Sequence, residues 1–253
     1  MANRYAWLAL GLGAYIAFAL SMFPAGAAYR WFAPDTLHMT GITGTVWSGR
    51  AALATAQGLP LNDLRWQLDA LPLLIGRAAG RVQARLAEGL VDAKVSGSLG
   101  GRVLLRDVQL ATRLEVLASA VSIGDVRGRV TVRLERIAIE DGVPTTAVGQ
   151  VRVAELQVPT FVPGGRGDLL PLGDYELILD DTGSEGLRAR FRDTSGPLAV
   201  DGVLTVDLAG RYMLDARAEA RQGAPRELVQ ALELMGGEPA PDGRRPFQLS
   251  GSL

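Results

Sequence analysis

The sequence predicts a mainly β protein: an N-terminal transmembrane helix followed by an antiparallel, curved meander sheet, half-barrel or barrel-like, with one to three short helices. Three observations carry this. Apolar and polar residues alternate through most of the chain after residue 33, the pattern of strands with one wet face. Successive runs are separated by short gaps, so neighbouring strands return as hairpins. No charged residue stands between Arg4 and Arg30, an interval long enough to cross the ~30 Å hydrocarbon core of a bilayer.

The anchor comes first, and its core, Ala6–Phe23, is almost wholly apolar. Tyr5 and Trp7 at one end, with Tyr29 and Trp31 at the other, suit interfacial aromatic belts. The competing reading is a cleavable signal peptide, with Ala25-Gly26-Ala27 as its cleavage site. Against it, the apolar run exceeds the roughly 7–15 residues of a signal core, and the basic leader is one arginine. The amino terminus and Arg4 precede the span, whereas Arg30 and Asp35 cancel after it. The positive-inside bias then leaves the amino terminus in the cytoplasm and carries the rest across. The predicted division is 1–33 for the cytoplasmic tip and anchor, and 34–253 for a single β-domain.

Within that domain the alternation is explicit. Leu64, Trp66 and Leu68 are interleaved with Arg65, Gln67 and Asp69. Leu187, Ala189 and Phe191 are interleaved with Arg188, Arg190 and Arg192, and Tyr212, Leu214 and Ala216 alternate with Arg211, Asp215 and Arg217. Similar runs occupy 79–87, 90–98, 101–110, 126–139, 145–158, 173–180 and 197–208. Glu88-Gly89, Gly100-Gly101, Asp141-Gly142 and Gly183-Ser184 mark the turns between them. Two runs change phase, near Glu135-Arg136 and near Ala154-Glu155. A phase change within a strand predicts a bulge that bends the sheet.

Helices are few. Leu71–Arg77 reads as a turn of helix or a loop, and Leu110, Leu114, Leu117 and Val121 carry helical spacing. Pro225–Met235 is the clearest helix, with Pro225 at its first turn, Glu227 early and Gly236-Gly237 as its stop. Pro159–Pro171 and Glu238–Pro246 read as loops. Gly-Arg recurs eight times at irregular spacing, which predicts turn glycines followed by exposed cations that start strands and blunt sheet edges.

Composition narrows the function. At 48% hydrophobic and 21% charged, the chain carries too much apolar material for disorder. Its net charge of −1 supplies no field for nucleic acid. With no cysteine, thiolate chemistry and disulfides are excluded. His38 is the one histidine and Lys94 the one lysine, so neither a Ser-His-Asp triad in the β-domain's interior nor a phosphate-binding Lys loop is assembled. Asp181-Thr182-Gly183-Ser184 has the form of an aspartic-protease motif. That chemistry needs two facing carboxylates, and the nearest echo is Asp193-Thr194-Ser195-Gly196; a hairpin turn explains both. No catalytic, cofactor-binding or metal-ligating residue is nominated, and no cofactor is expected.

Gly41–Ala51 reads GITGTVWSGRA, and Leu64–Arg77 reads LRWQLDALPLLIGR. A short anchor, then G-x-V-W-S-G-x-A, then a tryptophan strand ending in Leu-Leu-x-Gly, resembles protein N of the bacterial type II secretion system. The closing helix into Met235-Gly236-Gly237 and the segment Gly243–Gly251 also resemble that family's end. The resemblance implies a non-enzymatic, single-pass inner-membrane protein whose periplasmic β-domain serves the export of folded proteins through an outer-membrane secretin. It implies as partners the inner-membrane platform, protein C and the secretin. The other class consistent with an anchor and alternating strands is an envelope lipid-handling protein, whose curved sheet shields acyl chains. Trp47 and the row Arg188, Arg190 and Arg192 are the candidate partner contacts; packing and solvation are the plainer roles for the same side chains.

Overall fold

The computed structural model describes residues 11–12, 15, 18–33, 37–56, 59–70, 72, 76–86, 89–98, 101–120, 125–140, 143–159, 169–180, 186–235 and 238–252. Their strands form one antiparallel, 14-stranded sheet. The strands are β1 (Leu37–Thr40), β2 (Thr43–Gly44), β3 (Ser48–Ala56), β4 (Leu59–Asp69), β5 (Arg77–Leu86), β6 (Gly89–Ser98) and β7 (Val103–Arg113). They continue with β8 (Arg127–Glu140), β9 (Val143–Pro159), β10 (Leu169–Asp180), β11 (Leu187–Ser195), β12 (Leu198–Val206), β13 (Arg211–Ala220) and β14 (Arg245–Ser252). The short helices are α1 (Ala25–Phe32), α2 (Leu114–Ala120) and α3 (Arg226–Met235).

From β3 onward every strand pairs with its chain neighbour, while β1 and β2 both pair with β3. Among the described residues β1 and β14 do not pair, so the meander is an open curved sheet rather than a barrel. A four-residue β1 is too short to seal an eight-residue β14 along its length. One rim of the sheet receives the N-terminal segment, and the opposite rim carries α2 and α3. α2 packs on β7 and β8 and also reaches β4, which the curl of the intervening strands brings within range.

The phase changes in the sequence become bulges. Register between β8 and β9 shifts between Leu134 and Arg136. Around Ala154-Glu155 it shifts against both β8 and β10. Glu155 adopts φ 55, and Asp63 and Asp107 adopt φ 48 and 53 at bulges in β4 and β7. Each of these left-handed carboxylates is held by a cation, Asp63 by Arg65 at 2.9 Å, Asp107 by Lys94 at 2.7 Å, and Glu155 by Arg129. A left-handed residue costs about 1–2 kcal/mol unless it is glycine or a short polar side chain. Asp107→Gly is therefore expected to leave stability within about 0.5 kcal/mol of the parent, whereas Asp107→Val lowers it by about 1–2 kcal/mol. Urea denaturation of the two variants side by side checks this; equal midpoints would show that the backbone at 107 relaxes.

Gly165-Arg166 lies outside the described residues, and the other seven Gly-Arg pairs divide into two kinds. Gly76, Gly101, Gly210 and Gly243 have positive φ and lie just before strands, as expected. Gly49, Gly80 and Gly128 instead lie inside strands, a correction to the edge-blunting reading. Gly49 faces the Trp66 ring, whose atoms occupy the place a Cβ would take. The same aromatic-over-glycine pairing recurs at Phe191 over Gly202 and Tyr212 over Gly251.

Apolar residues share one face of the sheet in long register rows. One row runs through Val91, Leu110, Val132, Val151, Leu177 and Phe191 on β6–β11. All six are only half-buried. Among the described residues the buried cluster is small, Ala51, Ala54, Leu64 and Ala84, and Leu86 is the one large side chain fully enclosed. The chain exposes 16583 Å², against roughly 11,000 Å² for a compact globule of this mass.

Three expectations shift in detail. Leu110 belongs to β7, paired with Val132, and the helix begins only at Leu114. β10 begins at Leu169 and β14 at Arg245, inside segments read as loops. Leu71–Arg77 lies mostly outside the described residues, as does much of the expected span. No helix among the described residues is long and apolar enough to cross a membrane.

Candidate functional site

The N-terminal segment is fastened to the sheet by side chains from both sides of the junction. Phe23 C=O accepts the Val46 N–H at 3.0 Å, and Pro24 bridges Thr45. Trp47 Nε1 donates to the Leu20 carbonyl at 2.7 Å, and Trp66 Nε1 donates to Val46 at 3.0 Å. The Tyr29 hydroxyl donates to Leu37 O and accepts the Met39 N–H, both at 3.0 Å. Trp47 thus secures the chain's own entry into the fold, while Leu20 and Met22 beside it remain exposed.

The arginine row lies on the polar face of β11. Arg190 grips Asp180 with Nε at 2.8 Å and Nη2 at 3.0 Å. Arg192 grips Glu176 with Nη2 at 2.7 Å and Nε at 3.1 Å. From the other flank Arg152 Nε reaches Glu176 at 3.1 Å, and the Gln150 amide donates to the same oxygen. The Glu176 side chain is buried beneath these exposed cations. Arg188 is exposed and lines a rim cavity of about 690 Å³ with Asp207, Arg211 and Tyr212. Two of the three arginines are thereby committed to neutralising β10.

The hydrogen bonds from Arg192 first, and then from Arg152, hold the Glu176 carboxyl below its ordinary value. The Asp174 carboxyl is lowered by the Glu155 N–H and the Ser195 hydroxyl. Asp207 is lowered by the Arg211 backbone and side chain, and Asp107 by Lys94. A carboxyl depressed in the folded state stabilises the fold above its unfolded pKa, and the benefit disappears as pH falls through the folded value. The thermal midpoint is expected to be flat from neutral pH to about 5 and to fall below about 4, with Glu176→Gln showing a shallower fall. A pH series of thermal melts checks it, and parallel slopes for the two proteins would remove Glu176 from the account.

Catalytic constellations do not form among the described residues. No group of three or more His, Asp or Glu stands together as metal ligands. His38 is exposed on β1. Asp181-Thr182-Gly183-Ser184 lies outside the described residues. In its echo, Asp193 accepts the Val200 N–H at 2.8 Å, tying β11 to β12, and pairs with Arg221 just past the end of β13. Burial pushes the Tyr175 phenol up to about 12, and its hydroxyl donates to Leu172 O at 3.1 Å; that is a packing role.

A different row escaped the sequence reading. Arg81, Lys94, Arg106 and Arg136 sit side by side on β5–β8. Each belongs to its own strand, so only the register brings them together. The imbalance of charge along the chain was the available signal: residues 1–140 hold 15 cations and 10 anions, residues 141–253 hold 11 and 17.

The sequence model of the family described as "Type II secretion system (T2SS), protein N" matches residues 35–248. A protein named "Type II secretion system protein N" from Aeromonas hydrophila is 29% identical over 268 residues, covering 97% of each chain. One of the same name from Vibrio cholerae serotype O1 is 24% identical over 233 residues, covering 87% of this chain and 86% of its own. No solved structure matches.

Proposed function

The chain belongs to the type II secretion system protein N family, and from that premise we propose that it is a non-enzymatic assembly component anchored in the bacterial inner membrane. In this reading residues 1–33 carry the anchor and the sheet lies in the periplasm. There it assists the machine that exports folded proteins through the outer-membrane secretin, with the inner-membrane platform, protein C and the secretin as partners. The observation that carries the reading is the end-to-end match to relatives bearing that name. The apolar interval before Arg30 and the tryptophan-clamped junction support an anchored sheet.

Deleting the gene from its own bacterium is expected to leave exported proteins in the periplasm, with export restored by the wild-type chain. Undiminished export would overturn the assembly reading. Amino-terminal sequencing of the membrane fraction is expected to begin at or near Met1; a start at Ala28 would replace the anchor with a cleaved signal.

One observation favours a second reading. The apolar face runs in register across β6–β11 without being buried, as a trough for acyl chains requires. Lipid extracted from the purified protein, and its loss in Leu177→Glu, would support lipid handling. Protein purified free of lipid would end that alternative.

A further inference from the structure

We propose that the polar face of β5–β8 is the docking surface for an acidic amphipathic helix of another protein. Arg81 stands opposite Lys94, Lys94 opposite Arg106, and Arg106 opposite Arg136. Like charges directly opposite one another destabilise a sheet, and here three such pairs follow in succession. Elsewhere in this sheet such pairs occur singly, Arg50 opposite Arg65 and Arg113 opposite Arg129, and across β9–β13 the seam alternates Arg152, Glu176, Arg192, Asp201 and Arg217. Carboxylates stand beside the cation row. Lys94 is 2.7 Å from Asp107, and Arg81 is 3.8 Å from Asp92.

A second row crosses the same strands, one step towards the rim that receives the N-terminal segment. Ala79, Ser96, Leu104 and Ala138 are likewise register partners and carry no charge. Where Ala79 and Ser96 meet Arg81, Lys94 and Arg106 the face dips into a depression of about 400 Å³, with Gln67 and Asp69 on its β4 side. Beside a cationic ridge, then, lies a shallow, mostly uncharged bed with Asp69 at its margin.

The spacing selects the occupant. Strands lie about 4.8 Å apart, so four cations span about 14 Å. Carboxylates on one face of a helix recur about every 5.4 Å, or about 16 Å over three turns, a difference that long Arg and Lys side chains absorb. Alternate residues of an extended segment recur every ~6.8 Å, reach about 20 Å, and fall out of step. A helix laid across the strands sets its apolar stripe on the small row and its carboxylates on the cations.

This surface deepens the assembly reading and rests on it for its biological setting only. The test uses the full-length protein in detergent with a fluorescent synthetic helix, rich in alanine, carrying glutamate at every fourth position beside a leucine stripe. Binding is expected to weaken with salt and to drop roughly tenfold in Lys94→Gln/Arg106→Gln. The same variant is expected to melt no earlier than the parent, because like-charge contacts have been removed. If it melts early, Arg106→Gln alone carries the comparison, and Arg188→Gln is expected to bind normally. Equal binding of a scrambled peptide, or undiminished binding by the variants, would overturn the proposal. So would variant-sensitive binding to phosphatidylglycerol vesicles without binding to the helix, which would make the face a membrane surface. The readout is on purified protein, so its failure leaves the export phenotype of the deletion standing.

Discussion

Leu86→Ala is expected to lower stability by about 3 kcal/mol, within the range for emptying an enclosed leucine site. For a chain of this size that is a fall in thermal midpoint of roughly 6–12 °C. The effect is large because so little else is enclosed: Leu86 is 2% exposed, and the described core is otherwise mostly alanine. Its backbone also holds the α2 rim, since the Leu86 carbonyl accepts the buried Thr112 hydroxyl at 3.3 Å. A midpoint within about 2 °C of the parent would mean that the rim closes over the gap.

Gly202→Val should destabilise by the opposite route. A Cβ at 202 would meet Phe191 Cε1 at 2.5 Å and the Asp215 carbonyl at 2.6 Å. The ring can move and the carbonyl cannot. Overpacking of this kind costs about 1–3 kcal/mol. Removing the ring in Gly202→Val/Phe191→Ala is expected to recover part of the loss, and a double-mutant cycle measures it. Strict additivity would show that the ring is not what excludes a side chain from that position.

The two variants also show what was legible in the sequence. Period 2 revealed the strands and their order, because hairpins with short turns leave a meander no other course. The phase changes at Glu135-Arg136 and Ala154-Glu155 located bends, since a bulge shifts which side chains face inward. The helix expected from Leu110 started late because Leu110 and Thr112 have ladder partners in Val132 and Val130, and pairing overrides helical spacing. β1 and β14 were hidden by their brevity and by Pro246.

What depended on register could not be read at all. Glu176 meets Arg152 and Arg192 from two strands, and no local pattern announces a buried carboxylate. The cations at 81, 94, 106 and 136 look like ordinary exposed residues until four strands align. Of the nominated contacts, Trp47 was placed at the junction, and Arg190 and Arg192 proved to have partners within the sheet.

The meander order has a consequence in time. Each strand from β4 onward needs only the strand just made before it, so the loops to be closed are short, apart from the stretches through α2 and α3, and their entropic cost is small. A chain delivered amino terminus first, from a ribosome or through a translocon, can therefore zip up hairpin by hairpin without waiting for its end. The same logic runs backwards under load: a pull on the carboxyl end peels β14 from β13, then β13 from β12, one ladder at a time. Such a sheet yields in small successive steps where a closed barrel would resist and then fail at once.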